Sequence, residues 1–409
     1  MRKWPRSLGS SRSSLTHSHT RRMRTTMAQT QQQESLPATV SATAAAVTLV
    51  FVAGEQEVLT GSAQLIRAAI DDQSQVPGLQ GRLWGLAQGV SRSILRRVRT
   101  LATGAMQVAS RNGDVTAVRE IQALQRATED FIASPVSRIP SHHAQSSAAI
   151  ANDLTDSLAS AAHRITRFAD DAYRAATVNG TLVGINPARD IIRDATARAT
   201  LAEAQAQAWR QLTSRGITGF TDSAGRQWNL SSYVEMAVRT ATQRAYNASH
   251  KARMEAAGIT LFTPSTTGRP CKLCAPWEGK VLSDQGEADV VQDGHRFRIS
   301  ATVEEAMAAG LFHPNCEHTL TAFFPGVTVL RTTEWTDRDE QAFKDTQRQR
   351  TLERAIRGAK QAQASALTDL DRARAARRVR ELQTRMRNHL ARTGLNRRSR
   401  REQLDLGNK

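Results

Sequence analysis

Aromatic residues are scarce in this chain: Phe, Trp and Tyr together make up 5 % of 409 residues. Strands favour aromatic and β-branched side chains, so large β-sandwiches and barrels are disfavoured. Cysteine is rarer still, with three copies, an odd number too small for a disulfide framework. A reducing compartment is expected. No uninterrupted apolar run of about 18 residues occurs, the length a membrane-crossing helix needs. The nearest stretch, Pro37 to Gly54, is interrupted by Thr39, Ser41, Thr43 and Thr48, and is expected to be an apolar helix or strand that packs on the body or on a partner. A phosphate-cradling loop of the Walker type is also missing. The adjacent acidic pairs Asp170-Asp171, Glu304-Glu305 and Asp339-Glu340 do not make paired carboxylates, because neighbours on a helix point in different directions.

What the chain has in excess is positive charge, and it lies at the ends. Residues 1–35 hold seven Arg or Lys against one Glu, residues 341–409 hold nineteen against seven, and the middle balances at thirty against thirty. Such blocks attract polyanions, whether nucleic acid, an acidic membrane or an acidic protein, through a salt-screened field that carries no sequence information. The first 35 residues contain no Val or Ile and cannot bury enough apolar surface to offset ordering entropy, which predicts a disordered basic arm.

Beyond the arm the dominant signal is helical. Apolar residues recur three and four apart in Leu83, Leu86, Val90, Ile94 and Val98, in Ile121, Leu124, Phe131 and Ile132, and in Leu154, Leu158, Ala162, Ile165 and Phe168, each predicting one buried helix face. Turn-forming composition places breaks at Arg111-Asn112-Gly113-Asp114, at Pro135 to Pro140 and at Asn179-Gly180. After Gly216 the pattern shortens. A hairpin is expected over Ile217 to Leu230, a helix from Ser231 to about Gly258, short strands at Ile259–Phe262 and Lys280–Leu282, a hairpin around Asp293-Gly294, and a short helix over Thr302–Gly310. Two long helices follow, roughly 334–362 and 367–393. The second carries Arg372, Arg374, Arg377, Arg378, Arg380, Arg385 and Arg387, with Val379, Leu382, Met386 and Leu390 on another face. The fold class is mainly α with a small α+β module. Its expected parts are the arm (1–35), a helical region (36–215), the α+β module (216–330) and basic C-terminal helices (331–409).

All three cysteines fall within 46 residues, as Cys271-Lys-Leu-Cys274 and His313-Pro-Asn-Cys316-Glu-His318. Thiolate and imidazole are the ligands zinc prefers, and a Cys-x-x-Cys turn puts two sulfurs on one metal. Cys316 and His318 point the same way on an extended segment. The expected ligands of a structural zinc are therefore Cys271, Cys274, Cys316 and His318, with His313 competing for the fourth position or standing behind the ligands. Two other readings stand beside this one: cysteines as small core residues, and a redox pair, which the flanking Pro270 and Ala275-Pro276 loop disfavours. His313, Asn315 and His318 also resemble the metal site of hairpin-and-helix nucleases, which makes a metal-dependent nuclease or injected toxin the alternative function. Four protein ligands would leave that metal no open position.

Several unrelated words then occur in one order. Gly219 to Trp228, Tyr233 to Thr240, Asn247 to Met254, Trp277 to Ser283, Gly310 to His318, Phe324-Pro325-Gly326, Gln347 to Arg357, Thr393-Gly394-Leu395 and Arg401-Glu402 resemble the tailed-bacteriophage minor capsid protein 2 family, over about residues 180–405. More distantly, the ending at His313 to His318 is similar to the His-Pro-Asn-Cys-Arg-Cys of Mu-like head-morphogenesis proteins, with the last cysteine replaced. The resemblance implies a non-enzymatic virion component. It would assemble in the host cytoplasm, oligomerise in the head near the portal or inner capsid surface, and contact portal and major capsid proteins and packaged DNA, with no membrane partner. Many members lack the Cys-x-x-Cys half, so metal binding rests on this sequence rather than on the family.

Overall fold

A computed structural model describes residues 37–127, 141–177, 207–210, 212–213, 217–221, 227–267, 270–292, 294–332 and 334–404. The expected basic arm and the breaks at Pro135–Pro140 and Asn179-Gly180 lie outside them, as do Phe131 and Ile132. In chain order the elements are helices α1 (Pro37–Asp71), α2 (Leu79–Ala127) and α3 (Ser141–Thr177), a hairpin of β1 (Thr218–Thr221) and β2 (Gln227–Asn229), and helix α4 (Leu230–Ala256). Strands β3 (Phe262–Pro264), β4 (Val281–Ser283), β5 (Ala288–Gln292) and β6 (His295–Thr302), helix α5 (Val303–Ala308), strand β7 (Leu320–Ala322), and helices α6 (Asp337–Ala364) and α7 (Asp369–Thr393) follow. The architecture is mainly α with a small mixed sheet, as the sequence predicts.

The chain divides into two compact units. The described part of the first lies chiefly within residues 109–127, 141–147 and 243–335. Its sheet has the order β5-β6-β4-β3-β7. Only the β4–β6 pair is parallel, and the β5–β6 hairpin pairs Ala288 with Ile299 through Gln292 with His295, around Gly294. Thr302 ends β6 and caps α5: its hydroxyl accepts the Glu305 N–H, while the Glu305 carboxylate accepts the Thr302 N–H. One apolar cluster gathers Ala117, Met254, Phe262, Leu282, Leu311, Phe312 and Leu320 with Cys274 and Cys316. The cysteines are thus set in the core of the sheet-bearing unit.

The expected break at Arg111–Asp114 is not there, since α2 runs through it. Gly113 serves a close approach instead of a turn. A Cβ at this position would collide with the Tyr246 carbonyl oxygen on α4, an approach no side chain tolerates. Asp114 pairs with Arg253 of the same helix α4, and Glu120 Oε2 lies 3.1 Å from His250 Nε2. Strand β3 begins at Phe262 rather than Ile259. Gly258, at φ +81°, and the Ile259 N–H bonded to the Met254 carbonyl extend the helix end before the sheet starts.

The described part of the second unit lies within residues 41–108, 148–242 and 336–409. The Pro37–Gly54 stretch is helical, inside α1, and Val47, Phe51, Val58, Leu59 and Ile66 are fully buried. By length and composition Ala44–Asp71 could cross a membrane; 50 % of its apolar window is buried within the protein. Helices α1 and α2 pack closely at two glycines: a Cβ at Gly54 would meet Ile94 Cδ1 at 2.6 Å, and one at Gly61 would meet Leu86 Cδ2 at 2.7 Å, so these side-chain ends would have to shift. The predicted stripes Leu83, Val90, Ile94 and Val98, and Leu154 to Phe168, are buried. Helices α6 and α7 pair through Leu352, Ile356 and Ala359 against Val379, Leu382 and Met386. Thr368 caps α7, and Gly394, at φ +67°, ends it. The seven arginines of the predicted α7 face are all exposed.

Candidate metal centre

Two turns of the same kind present the donors. The Cys274 N–H donates to the Cys271 carbonyl at 3.1 Å, and the Cys316 N–H to the His313 carbonyl at 2.9 Å. Each turn therefore presents its first and fourth side chains together. The second turn depends on two left-handed residues, Phe312 (φ +57°) and Asn315 (φ +65°). Asparagine accepts that conformation, whereas for phenylalanine it is a strained one, here held by burial of the ring in the core.

All five predicted donors converge. Their ligand atoms form two overlapping threes, Cys271–Cys274–His313 and Cys274–Cys316–His318, within each of which all atoms lie within 4.8 Å of one another. Cys274 Sγ is shared and stands 3.4 Å from Cys316 Sγ. His313 Nε2 is 2.8 Å from Cys271 Sγ, and His318 Nδ1 is 3.4 Å from Cys316 Sγ. The His318 N–H also donates to Cys316 Sγ at 3.3 Å, a bond that favours a charged sulfur. These groups can hold a metal ion. Cys271, Cys274, Cys316 and His318 are brought together as the sequence suggests, with His313 on the Cys271 side.

Each imidazole is fixed from behind. His313 Nδ1 donates to the Pro314 carbonyl at 2.9 Å. His318 Nε2 donates to Glu278 Oε1 at 2.8 Å, so its other nitrogen faces the sulfurs. Glu278 is 1 % exposed and accepts the Thr267 N–H at 2.8 Å through the same oxygen. A carboxylate–histidine pair of this kind sets the tautomer and ring orientation of a metal-binding imidazole. Sequence reasoning missed Glu278. It lies in the Trp277-Glu278-Gly279 word just after the Cys-x-x-Cys turn, and Gly279 is required there because a Cβ would strike the Arg331 carbonyl at 2.7 Å.

Electrostatics favour a cation. A hydrogen bond from Cys274 and, against burial, one from His313 bring Cys271 down to about 4. Cys316 falls to about 4 through Cys274, opposed by burial and helped by His318. Cys274, sharing its hydrogen bonds with both thiolates, is pushed up and keeps its proton. Burial works against a charged His318, but Cys316 and Glu278 outweigh it and raise the ring to about 9. In the metal-free protein, the Cys274 thiol and the His318 ring thus hold protons beside the two thiolates. A dication bound by the sulfurs would displace those protons.

Comparison with known proteins extends the resemblance. The family model described as phage minor capsid protein 2 matches residues 95–391, so α3 and most of α2 belong to the shared region along with the Cys/His module and most of α7. A protein of Lactococcus phage LL-H named "Structural protein" is 27 % identical over 194 residues, covering 44 % of this chain and 52 % of that relative. The chain therefore spans about half the length of the curated relative it matches. No solved structure matches. With the larger part of its length matched by one family model, the chain belongs to the phage minor capsid protein 2 family.

Proposed function

We propose that this minor capsid protein acts in head assembly near the portal or inner capsid surface, in contact with portal and major capsid proteins. In this reading its small α+β module is held by a structural zinc, and its basic ends lie against packaged DNA or acidic partners. The observation that carries it is the family match across residues 95–391, which takes in most of α2, helices α3 to α6, the Cys/His cluster and most of the basic C-terminal segment in one unit of inheritance.

Zinc is the ion that best suits a set of thiolate and imidazole donors, and a closed set of Cys271, Cys274, Cys316 and His318 would make it structural. The core around it is small, so metal ligation would supply cohesion that apolar burial alone does not. His313 would stand beside the ligand set or exchange with His318. Burial of His318 and its bond to Glu278 favour this closed arrangement over a nuclease site, which needs an open metal position.

For the basic ends, a phosphate-driven contact predicts non-specific DNA binding whose affinity falls steeply with salt. With six or more phosphates engaged, affinity is expected to drop about a thousandfold between 50 and 200 mM salt. Binding of the full chain to duplex DNA, followed by fluorescence anisotropy across that range, is the measurement; an affinity independent of salt would contradict the contact.

A further inference from the structure

A cavity of about 500 Å³ opens in the second unit, among α1, the first turn of α4, α6 and α7. The metal centre does not use it. Three arginines line it, Arg354 and Arg357 from α6 and Arg378 from α7. Arg378 pairs with Glu381, but the other two have donors to spare. Among the described residues, Arg357 is half-buried and makes one hydrogen bond, at 3.3 Å to the Arg401 carbonyl; Arg354 makes one, at 3.2 Å to Thr351 Oγ1. A guanidinium has five N–H donors. Burial lowers the Arg357 pKa, and the carboxylates that oppose this are Glu235 and Glu55, acting at a distance with no direct pairing. Glu55 lines the same cavity and is committed to the Ile217 N–H at 2.8 Å.

Two further features suit an oxyanion. Ser231 and Ser232, in the first turn of the 27-residue helix α4, lie on the cavity wall near the positive end of the helix dipole, with the Ser231 N–H and hydroxyl bonded to Asn229 Oδ1. Gly358 stands on the lining, inside α6, and a Cβ there would meet nothing within 4 Å. A helix-interior glycine costs stability relative to alanine, and this one serves no close approach.

The rest of the wall combines aliphatic Val52, Ala355, Ala359, Ala362, Leu382 and Leu404 with the amides of Gln56, Asn229 and Gln361, and has no aromatic ring. Nucleobases recognised outside a duplex stack on aromatic side chains, so a partly aliphatic pocket with spare arginine donors and no aromatic ring matches peptide better than nucleotide. We propose that the cavity receives an acidic side chain of a partner protein, a Glu or Asp flanked by aliphatic residues, with its carboxylate on Arg357 and Arg354 and its neighbours against Val52 and Leu382.

The test uses the full-length chain on an immobilised array of heptapeptides with a central Glu or Asp flanked by Ala, Val or Leu, beside the same peptides carrying Gln or Asn. Oligothymidylate and inorganic phosphate serve as competitors. Acidic peptides are expected to be retained over their amide counterparts, with retention reduced at least about tenfold in Arg357→Gln, which removes a charge-assisted pair, and unchanged in Arg372→Gln, outside the cavity. Gly358→Leu fills the space while improving helix propensity, so it gives the same loss of binding in a protein that folds, even if Arg357→Gln does not. Failure to prefer any acidic peptide over its amide form, or undiminished retention by both cavity variants, would overturn the proposal. Displacement by oligothymidylate, with DNA binding lost in both variants, would overturn it in favour of a nucleic-acid site.

Discussion

Glu278 is the residue through which a metal-binding role of the Cys/His cluster can be told from simple burial of cysteines. Its bond is to the far nitrogen of His318, the one turned away from the sulfurs. If His318 is a ligand, Glu278→Gln keeps the shape but weakens the orientation of the ring, and zinc affinity is expected to fall about 10- to 100-fold. Cys271→Ser removes a donor outright. It should release the metal and abolish the near-ultraviolet circular dichroism of the α+β module while leaving far-ultraviolet helicity largely intact. Competition with a chromophoric chelator measures the first effect and spectroscopy the second. Unchanged zinc content and unchanged spectra in Cys271→Ser would rule out the structural metal. The five donors were legible in the sequence because they come in two short words; Glu278 was not, because its partner is 40 residues away and a lone Glu in a loop carries no periodic signal.

At the scale of elements, glycine does two different jobs that look alike in a sequence. Gly113 sits in Asn-Gly-Asp, a strong turn composition, yet it lies mid-helix and lets α2 touch the α4 backbone. At Gly104, in the same helix, an added Cβ would meet nothing within 4 Å. Gly113→Ala should therefore destabilise by about 1–3 kcal/mol through overpacking, and Gly104→Ala should stabilise by about 0.5–1 kcal/mol through helix propensity. Paired thermal or urea melts read both, and equal effects of the two substitutions would contradict the close approach. The long amphipathic helices, the Asp293-Gly294 hairpin and the two C-terminal helices were readable because local periodicity and capping agree with their burial. The false break and the late start of β3 were set by contacts between segments distant in the chain and by the helix end, which no local pattern records.

Element packing also sets a pH dependence. Glu55 of α1 is buried, and desolvation, opposed by the Ile217 N–H and Arg357, raises its carboxyl from 4.5 to about 7. Between these values the unfolded chain has released this proton and the folded chain still holds it, so stability falls as pH rises from 4.5 to about 7. The loss from this group approaches about 3 kcal/mol above the window. Glu55→Gln should flatten that part of the stability–pH curve. Urea melts at intervals across the window measure it, and an identical slope in the variant would show that Glu55 does not titrate there.

For the whole molecule, the charge map and the family point in one direction. The excess positive charge lies at the chain ends, and all seven arginines of the α7 face are exposed. Four of them, Arg372, Arg374, Arg378 and Arg385, have acidic neighbours on the same helix. Apart from Arg374, whose partner Asp371 is buried, these are exposed pairs that contribute little to stability.

Membership of a capsid family makes this chain a part of the particle, and quantitative peptide mass spectrometry on gradient-purified, nuclease-treated phage particles tests that directly. Peptides from this chain are expected at a fixed ratio to the major capsid protein, well below one, in every preparation. Absence from particles, with the chain abundant in the lysate, would contradict it.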